Sequence, residues 1–165
     1  MDYITSDSLR LRRTGDDDLP FVVEAENHED NRHFVSQWPT VRHRAVQYSK
    51  EHAHLIVETL DGARAGYVIL GGLGDPNGSI ELTRLVITEK NRGYGREVLR
   101  MLKQWAFRVQ GAHRLWLDVR EHNARAQHVY RTEGFTVEGV LRECVKTPNG
   151  YESLIVMSML ESEYY

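Results

Sequence analysis

Hydrophobic and polar residues follow two different periods in the second half of the chain. Residues 115–119 alternate between aliphatic and other side chains, which predicts a β-strand with one buried face. Upstream, apolar residues recur at helical spacing and predict a helix that ends near Gly111. This apolar stripe consists of Val98, Leu102, Trp105 and Val109. An apolar segment at residues 80–87 precedes the helix and has the length of a buried strand.

Turn and cap residues divide the rest of the chain into further elements. Strands are also predicted at residues 9–12, 55–60, 64–70, 135–145 and 151–160. Helices are predicted at residues 21–28, 40–52 and 123–131, in addition to the one that ends near Gly111. The element order is therefore β-α-α-β-β-β-α-β-α-β-β, an α/β arrangement that we expect to form a single domain over residues 1–165.

The run Lys90-Asn91-Arg92-Gly93-Tyr94-Gly95-Arg96 connects the strand at 80–87 to the following helix. Glycines in such a turn let the backbone approach a ligand closely. The helix start adds unpaired N–H groups and the positive end of the helix dipole. Together these features predict an anion site, most often for phosphate, with positive charge from the lysine and arginines. The run has neither the Gly-Lys-Ser/Thr ending of a Walker loop nor the three glycines of a dinucleotide fold.

This run resembles the pyrophosphate loop of the GNAT superfamily of N-acetyltransferases, whose pattern is Gln/Arg-x-x-Gly-x-Gly/Ala. Gly93 and Gly95 occupy the glycine positions, and Lys90 stands where the family usually has Gln or Arg. A second block is similar to the rest of the family's coenzyme-binding core: Asn123 at a helix start, Tyr130 seven residues later, then Gly-Phe. The similarity is nearest to the bacterial branch that acetylates ribosomal-protein N-termini.

The resemblance implies a central mixed, mostly antiparallel sheet of about seven strands, flanked by about four helices. In the family the fourth and fifth strands are splayed apart, which opens a slot for the pantetheine arm of acetyl-CoA, the co-substrate. The coenzyme-binding residues implied in this way are Leu85, Val86, Ile87, Lys90, Arg92, Gly93, Tyr94, Gly95, Arg96, Asn123 and Tyr130. Tyr130 is also the implied proton donor to the coenzyme sulfur.

Two carboxylates compete for the role of general base. An amine acceptor titrates near ~10.4, so a base must remove its proton before it attacks the thioester. Glu81 lies nine residues before Lys90, where relatives commonly carry a catalytic glutamate, and is preferred. Asp118 lies five residues before Asn123, where the ribosomal-protein acetyltransferases place theirs. Each could instead be a solvated charge or pair with a neighbouring arginine. Direct transfer needs no covalent enzyme intermediate.

Bulk properties narrow the function classes. The net charge of −3 argues against nonspecific nucleic-acid binding. The single cysteine, Cys144, excludes an internal disulfide and is expected to be packed like a small hydrophobe. No apolar run approaches the length of a membrane span, and no signal-peptide pattern opens the chain, so we expect a cytoplasmic protein without a membrane partner. The eight histidines form no metal-ligand spacing, so no metal is expected.

The sequence therefore predicts an acetyl-CoA-dependent N-acetyltransferase, an acyltransferase that acts on a primary amine. A protein N-terminus, a polyamine, an amino acid and an amine antibiotic all remain open as acceptors, and a homodimer remains open as the assembly. The alternative from another class is a noncatalytic acetyl-CoA-binding sensory domain. The joint presence of Glu81, Asp118, Asn123 and Tyr130 favours the enzyme.

Overall fold

A computed structural model describes residues 4–164 as one eight-stranded sheet with helices on both faces. The strands are β1 (Ile4–Thr5), β2 (Leu9–Arg13), β3 (Ala53–Thr59), β4 (Arg64–Gly71), β5 (Ser79–Ile87), β6 (Arg114–Arg120), β7 (Thr136–Thr147) and β8 (Gly150–Leu160). The helices are α1 (Leu19–Asn27), α2 (Thr40–Gln47), α3 (Tyr94–Gln104) and α4 (Ala124–Thr132). A π turn at Trp105–Val109 continues α3, and short 3₁₀ turns lie at Asp16–Asp18 and Glu161–Glu163.

The sheet order is β1-β2-β3-β4-β5-β6-β8-β7, and β5 and β6 are the only parallel neighbours within residues 4–164. The predicted mixed, mostly antiparallel sheet is confirmed. The sheet has one strand more than the seven predicted, because the two residues of β1 are too few to produce a periodic pattern.

The parallel pair separates soon after it begins. Pairing between β5 and β6 starts at Ser79 and ends where Glu81 lies opposite Trp116. Against β4, the register of β5 jumps over Thr83, which is therefore an extra residue in a bulge. A bulge bends its strand and increases the local twist. The bulge lies two residues after the last pair, so the end of β5 turns away from β6. The predicted splay of the fourth and fifth strands is confirmed; with the additional strand β1 counted, these two strands are β5 and β6.

Alternate residues of the sheet supply two separate hydrophobic cores. The larger core includes Leu55 and Val68 and packs against α3 and α4. The smaller core includes Ile56 and Tyr67 and packs against α1. Because side chains alternate across a strand, the sheet carries helices on both faces, and the gap between β5 and β6 connects those faces.

Three local predictions are wrong, each for a local reason. Helix α2 ends at Gln47 rather than near His52, because Ser49 Oγ accepts the Glu51 N–H and competes with helical bonds. Val109 is 69% exposed instead of buried, because the π turn shifts the helical register. Cys144 is exposed on the edge strand β7 instead of packed in a core.

Candidate active site

A cleft of about 860 Å³ opens where β5 and β6 part. Its walls come from the end of β5, the loop before α3, the end of β6, the start of α4 and the α1–α2 connection (residues 28–39). Predicted coenzyme-binding residues that line it are Leu85, Val86, Ile87, Lys90, Gly93, Tyr94, Gly95, Arg96, Asn123 and Tyr130. Asp118 also lines the cleft, whereas Arg92 and Glu81 lie outside its lining. Most of the predicted site is thus brought together in one place.

The start of α3 forms what we call the loop side of the cleft, residues 93–96. Gly93 caps the helix in the left-handed conformation, with φ of 73°, and its carbonyl accepts the Glu97 N–H at 3.1 Å. The N–H groups of Tyr94, Gly95 and Arg96 therefore precede the first helical hydrogen bond. A Cβ at Gly95 would lie 3.8 Å from Ile87 Cγ1, an ordinary contact. The fold tolerates a side chain at position 95, so the glycine keeps the approach to these N–H groups open.

Two of the predicted cations, Lys90 and Arg96, bond to other residues of the protein. Lys90 Nζ donates a hydrogen bond to Asn31 Oδ1 at 2.8 Å, and burial lowers the pKa of Lys90. Arg96 Nη1 donates to Glu133 Oε2 at 2.8 Å and to Thr132 Oγ1 at 2.9 Å. The loop side therefore presents mainly backbone N–H groups, rather than free side-chain charge, to a ligand.

Glu133 ties the loop side to the rest of the fold. Its carboxylate also accepts hydrogen bonds from Arg100 and Lys103, so three cations on α3 meet one carboxylate at the end of α4. Burial by itself would raise the pKa of Glu133, but the hydrogen bonds from Arg100, Arg96 and Lys103 outweigh it and lower the pKa to about 2. The sequence analysis missed this cluster, although the three cations share helical spacing.

Asn123 begins α4 at the edge of the cleft. Its side-chain oxygen accepts the Ala126 N–H at 3.2 Å, which confirms the N-cap expected from sequence. The side-chain nitrogen of Asn123, Nδ2, makes no hydrogen bond to another residue within 4–164, so it is free to donate to a ligand in the cleft.

Tyr130 follows on α4 and lines the cleft. Its ring packs against Phe135 with centroids 6.0 Å apart, and the hydroxyl bonds to no other residue in the described part of the chain. Burial, aided by the charge of Asp118, raises the pKa of Tyr130 to about 12. Tyr130 therefore keeps its proton at neutral pH, as a proton donor requires.

The two candidate bases interact electrostatically with each other, and Asp118 also acts on Tyr130. Burial raises the pKa of Glu81, and the charge of Asp118 raises it further. Desolvation in the cleft also raises the pKa of Asp118, while the charges of Arg120 and Arg84 oppose that shift. A carboxylate whose pKa is raised is a stronger base, and such perturbed groups cluster at functional sites.

Two buried arginines form what we call the arginine side of the cleft, made of Arg84, Arg120 and Ser36. Arg84 Nη1 donates to Glu26 Oε2 at 2.9 Å and to the Ser36 carbonyl at 2.7 Å. Arg120 donates to Ser36 Oγ at 3.2 Å and to Glu152 Oε2 at 2.7 Å. Sequence analysis did not select these residues, because they come from three separate segments and fit no short motif.

Glu26 is fully buried beneath the arginine side. Its carboxylate accepts hydrogen bonds from the Trp38 N–H at 2.9 Å and the Tyr67 hydroxyl at 2.6 Å, and lies 2.7 Å from His43 Nε2. Burial opposes ionisation, but these partners together lower the pKa of Glu26, so the carboxylate stays charged. Glu26 is thus the buried anchor of Arg84.

Residues 4–164 contain neither a cluster of metal-ligating side chains nor a membrane-spanning helix. No group of three or more His, Cys, Asp or Glu side chains there is arranged to hold a metal ion. No helix in that range is long and apolar enough to cross a membrane.

Comparison with known proteins identifies the family. The model of the acetyltransferase (GNAT) family matches residues 19–135 of the 165. The chain belongs to the GNAT family. The matched region runs from α1 to Phe135, just before β7, and so includes the cleft walls built by β5, the loop, β6 and α4. The predicted enzyme class, an acetyl-CoA-dependent N-acetyltransferase, is confirmed.

Similar proteins carry one recurring name. Spermidine N(1)-acetyltransferase of Escherichia coli K12 is 27% identical, over 95% of this chain and 88% of that protein. The Vibrio cholerae enzyme of the same name is 26% identical, over 94% and 95%. The crystal structure of spermidine N-acetyltransferase from Vibrio cholerae in complex with CoA and spermine superimposes with a TM-score of 0.85 at 21% identity, over 96% and 99%. The GNAT fold is thereby confirmed, while the ribosomal-protein branch stays a prediction.

Proposed function

We propose that this protein transfers the acetyl group of acetyl-CoA directly to the nitrogen of a primary amine. The loop side binds the pyrophosphate, the backbone of Leu85, Val86 and Ile87 binds the pantetheine arm, and the amine enters from the arginine side. The observation that carries the proposal is the cleft itself, because it joins unpaired helix N–H groups to a protonated tyrosine and a basic carboxylate.

In the proposed reaction the amine nitrogen attacks the thioester carbon, the carbon–sulfur bond breaks, and the amide forms. The ammonium group loses two protons: a carboxylate receives the first before the attack, and the second, released from the nitrogen after the attack, replaces the proton that Tyr130 gives to the departing sulfur. The raised pKa of the Tyr130 hydroxyl supports this role, because the hydroxyl is protonated when the reaction begins. No covalent enzyme intermediate is required.

Asp118 is the stronger candidate for the base once its surroundings are considered. It lines the cleft and its charge acts on Tyr130, whereas Glu81 lies outside the lining. We therefore propose that Asp118 receives the proton, directly or through water, and that Glu81 contributes electrostatically. This reverses the preference drawn from the family pattern.

The named relatives make spermidine the first acceptor to test, within a panel of polyamines, amino acids, amine antibiotics and N-terminal peptides. Release of free CoA thiol is followed with acetyl-CoA, and the acetylated product is identified by mass spectrometry. Transfer to a primary amine is the expected result. Acetyl-CoA binding without transfer to any member of the panel would contradict the proposal and favour the noncatalytic alternative.

A further inference from the structure

On the arginine side of the cleft, the arginine side chains are held in place by buried contacts. The side chain of Arg84 is only 8% exposed although it lines the cleft. Glu26 and the Ser36 carbonyl fix one nitrogen of its guanidinium group, and the group lies over the Trp38 ring at 4.8 Å from the centroid. Arg84 is therefore held in one pose before any ligand arrives.

Arg120 is fixed beside the same serine. Its side chain is 8% exposed, one terminal nitrogen donates to Glu152, and the other donates to the Ser36 hydroxyl. Ser36 thus contacts both arginines, through its carbonyl and its hydroxyl group, and places them on one wall of the cleft.

Both guanidinium groups retain N–H donors for a ligand. Within residues 4–164, Arg84 donates two hydrogen bonds from Nη1, and its guanidinium group also interacts with the Tyr67 hydroxyl. A guanidinium group also carries donors on Nε and Nη2. In Arg120 each terminal nitrogen makes one bond and carries a second N–H. Because buried N–H groups are normally hydrogen-bonded, donors that border an open cleft point to an acceptor group supplied by the substrate.

A carboxylate fits this arrangement best. The planar donor edge of arginine matches the two oxygens of a carboxylate, and charge-assisted bonds of this kind are strong. A rigid site also avoids the entropy cost of ordering side chains on binding. The cationic nitrogens of a polyamine would instead lie against two positive groups, and like charges in such close contact are unfavourable.

A substrate that carries a carboxylate must also present its amine, and Asp118 is a suitable partner for that amine. Asp118 lines the cleft next to the arginines, and the charges of Arg84 and Arg120 act on it. A substrate with an ammonium group and a carboxylate would present the ammonium group to Asp118 and the carboxylate to the arginines.

We infer that the acceptor is an amine that also carries a carboxylate, an amino-acid-type substrate whose carboxylate binds Arg84 and Arg120. The inference rests on the proposed function and narrows its acceptor. Glu26 is then a positioning residue, because it touches neither substrate nor coenzyme and acts by holding Arg84.

The test compares acceptors that differ only in the carboxylate. Amino acids are paired with the amines left by their decarboxylation, such as L-lysine with cadaverine, and spermidine is assayed alongside them. We expect kcat/KM for at least one amino acid to exceed that of its partner by roughly 10- to 100-fold, the effect of hydrogen bonds to a charged group. Arg84→Gln should remove most of this preference, because it should lower kcat/KM for the amino acid more than for the decarboxylated amine.

Arg108→Gln is the matched control, because Arg108 is exposed and lies over Tyr164, away from the cleft. It should keep the wild-type preference. Faster acetylation of spermidine or cadaverine than of every amino acid would overturn the inference and leave the proposed transfer to amines intact. Absence of transfer to any amine would contradict both. The wild-type pairs decide the question even if Arg84→Gln fails to fold.

Discussion

The two sides of the cleft offer a ligand different kinds of hydrogen-bond donor. The loop side offers backbone N–H groups at the start of α3, while the side chains of Arg96 and the nearby Lys90 bond to other residues of the protein. The arginine side offers side chains, and these are fixed by buried partners on α1 and by the α1–α2 connection. A coenzyme shared by a whole family can be bound through a short local motif, whereas an acceptor specific to one protein needs residues gathered from distant segments.

The largest effect should come from removing the proposed base at the boundary of the two sides. Asp118→Asn should lower kcat at neutral pH by about 10² to 10⁴, the usual contribution of a positioned base. The wild-type rate should rise with pH through the raised pKa of Asp118, because only the ionised form accepts a proton. In the variant that inflection should disappear, and part of the rate should return at high pH, where free amine is present.

Glu81→Gln is the matched comparison, because it removes the other candidate carboxylate and changes the side-chain shape as little as Asp118→Asn does. It should have the smaller effect on kcat. A crippled Glu81→Gln beside a nearly normal Asp118→Asn would restore the preference drawn from the family pattern.

The next largest effect tests whether backbone N–H groups of the loop side bind the pyrophosphate. Gly95→Val should weaken acetyl-CoA binding by roughly 100-fold or more, because its side chain blocks several hydrogen bonds to a charged group. The melting temperature should change little, since a Cβ there makes only an ordinary contact with Ile87. Calorimetric titration of a folded variant with unchanged affinity would refute the phosphate-loop assignment. Gly139→Val on β7 is the control, with no atom within 4 Å of the added Cβ.

A smaller effect is expected at Tyr130. Tyr130→Phe should lower kcat and kcat/KM together by about 10- to 100-fold, because the hydroxyl acts on the sulfur only as the bond breaks. The apparent acetyl-CoA constant should stay near the wild-type value. Steady-state kinetics that give a wild-type turnover number would leave Tyr130 as a packing residue against Phe135.

The smallest effect on ligand binding should come from Glu133. Glu133→Gln releases Arg96, yet acetyl-CoA affinity should change less than about tenfold if backbone groups make the main contacts. Stability should fall instead. The pKa of Glu133 is lowered to about 2 from an ordinary value of 4.5, so its contribution is complete above that ordinary value and is lost as the pH falls toward 2.

Thermal melts of wild type and variant should therefore differ most at neutral pH and converge between those two values. A variant with unchanged stability but much weaker coenzyme binding would assign the cluster to ligand recognition rather than to the link between α3 and α4.

The difference between a local motif and residues gathered from distant segments explains which features the sequence could predict. The loop, the N-cap at Asn123 and the alternating strand at β6 depend on neighbouring residues, and the structure confirms each of them. Glu26 and Arg84 lie 58 positions apart and meet only after the sheet forms. Periodicity cannot show that Arg84, Tyr67 and a backbone N–H will satisfy the buried carboxylate of Glu26.

The central claim is that the loop side binds the coenzyme and the arginine side binds the acceptor. Its most direct test is an NMR titration of the isotope-labelled protein. Adding acetyl-CoA should shift the backbone amide signals of Tyr94, Gly95 and Arg96 and leave the side-chain Nε–H signal of Arg84 in place. An acceptor added afterwards should then shift the Arg84 signal. If the coenzyme alone moves the Arg84 signal and leaves the amides at 94–96 unchanged, the two sides of the cleft have been assigned the wrong ligands.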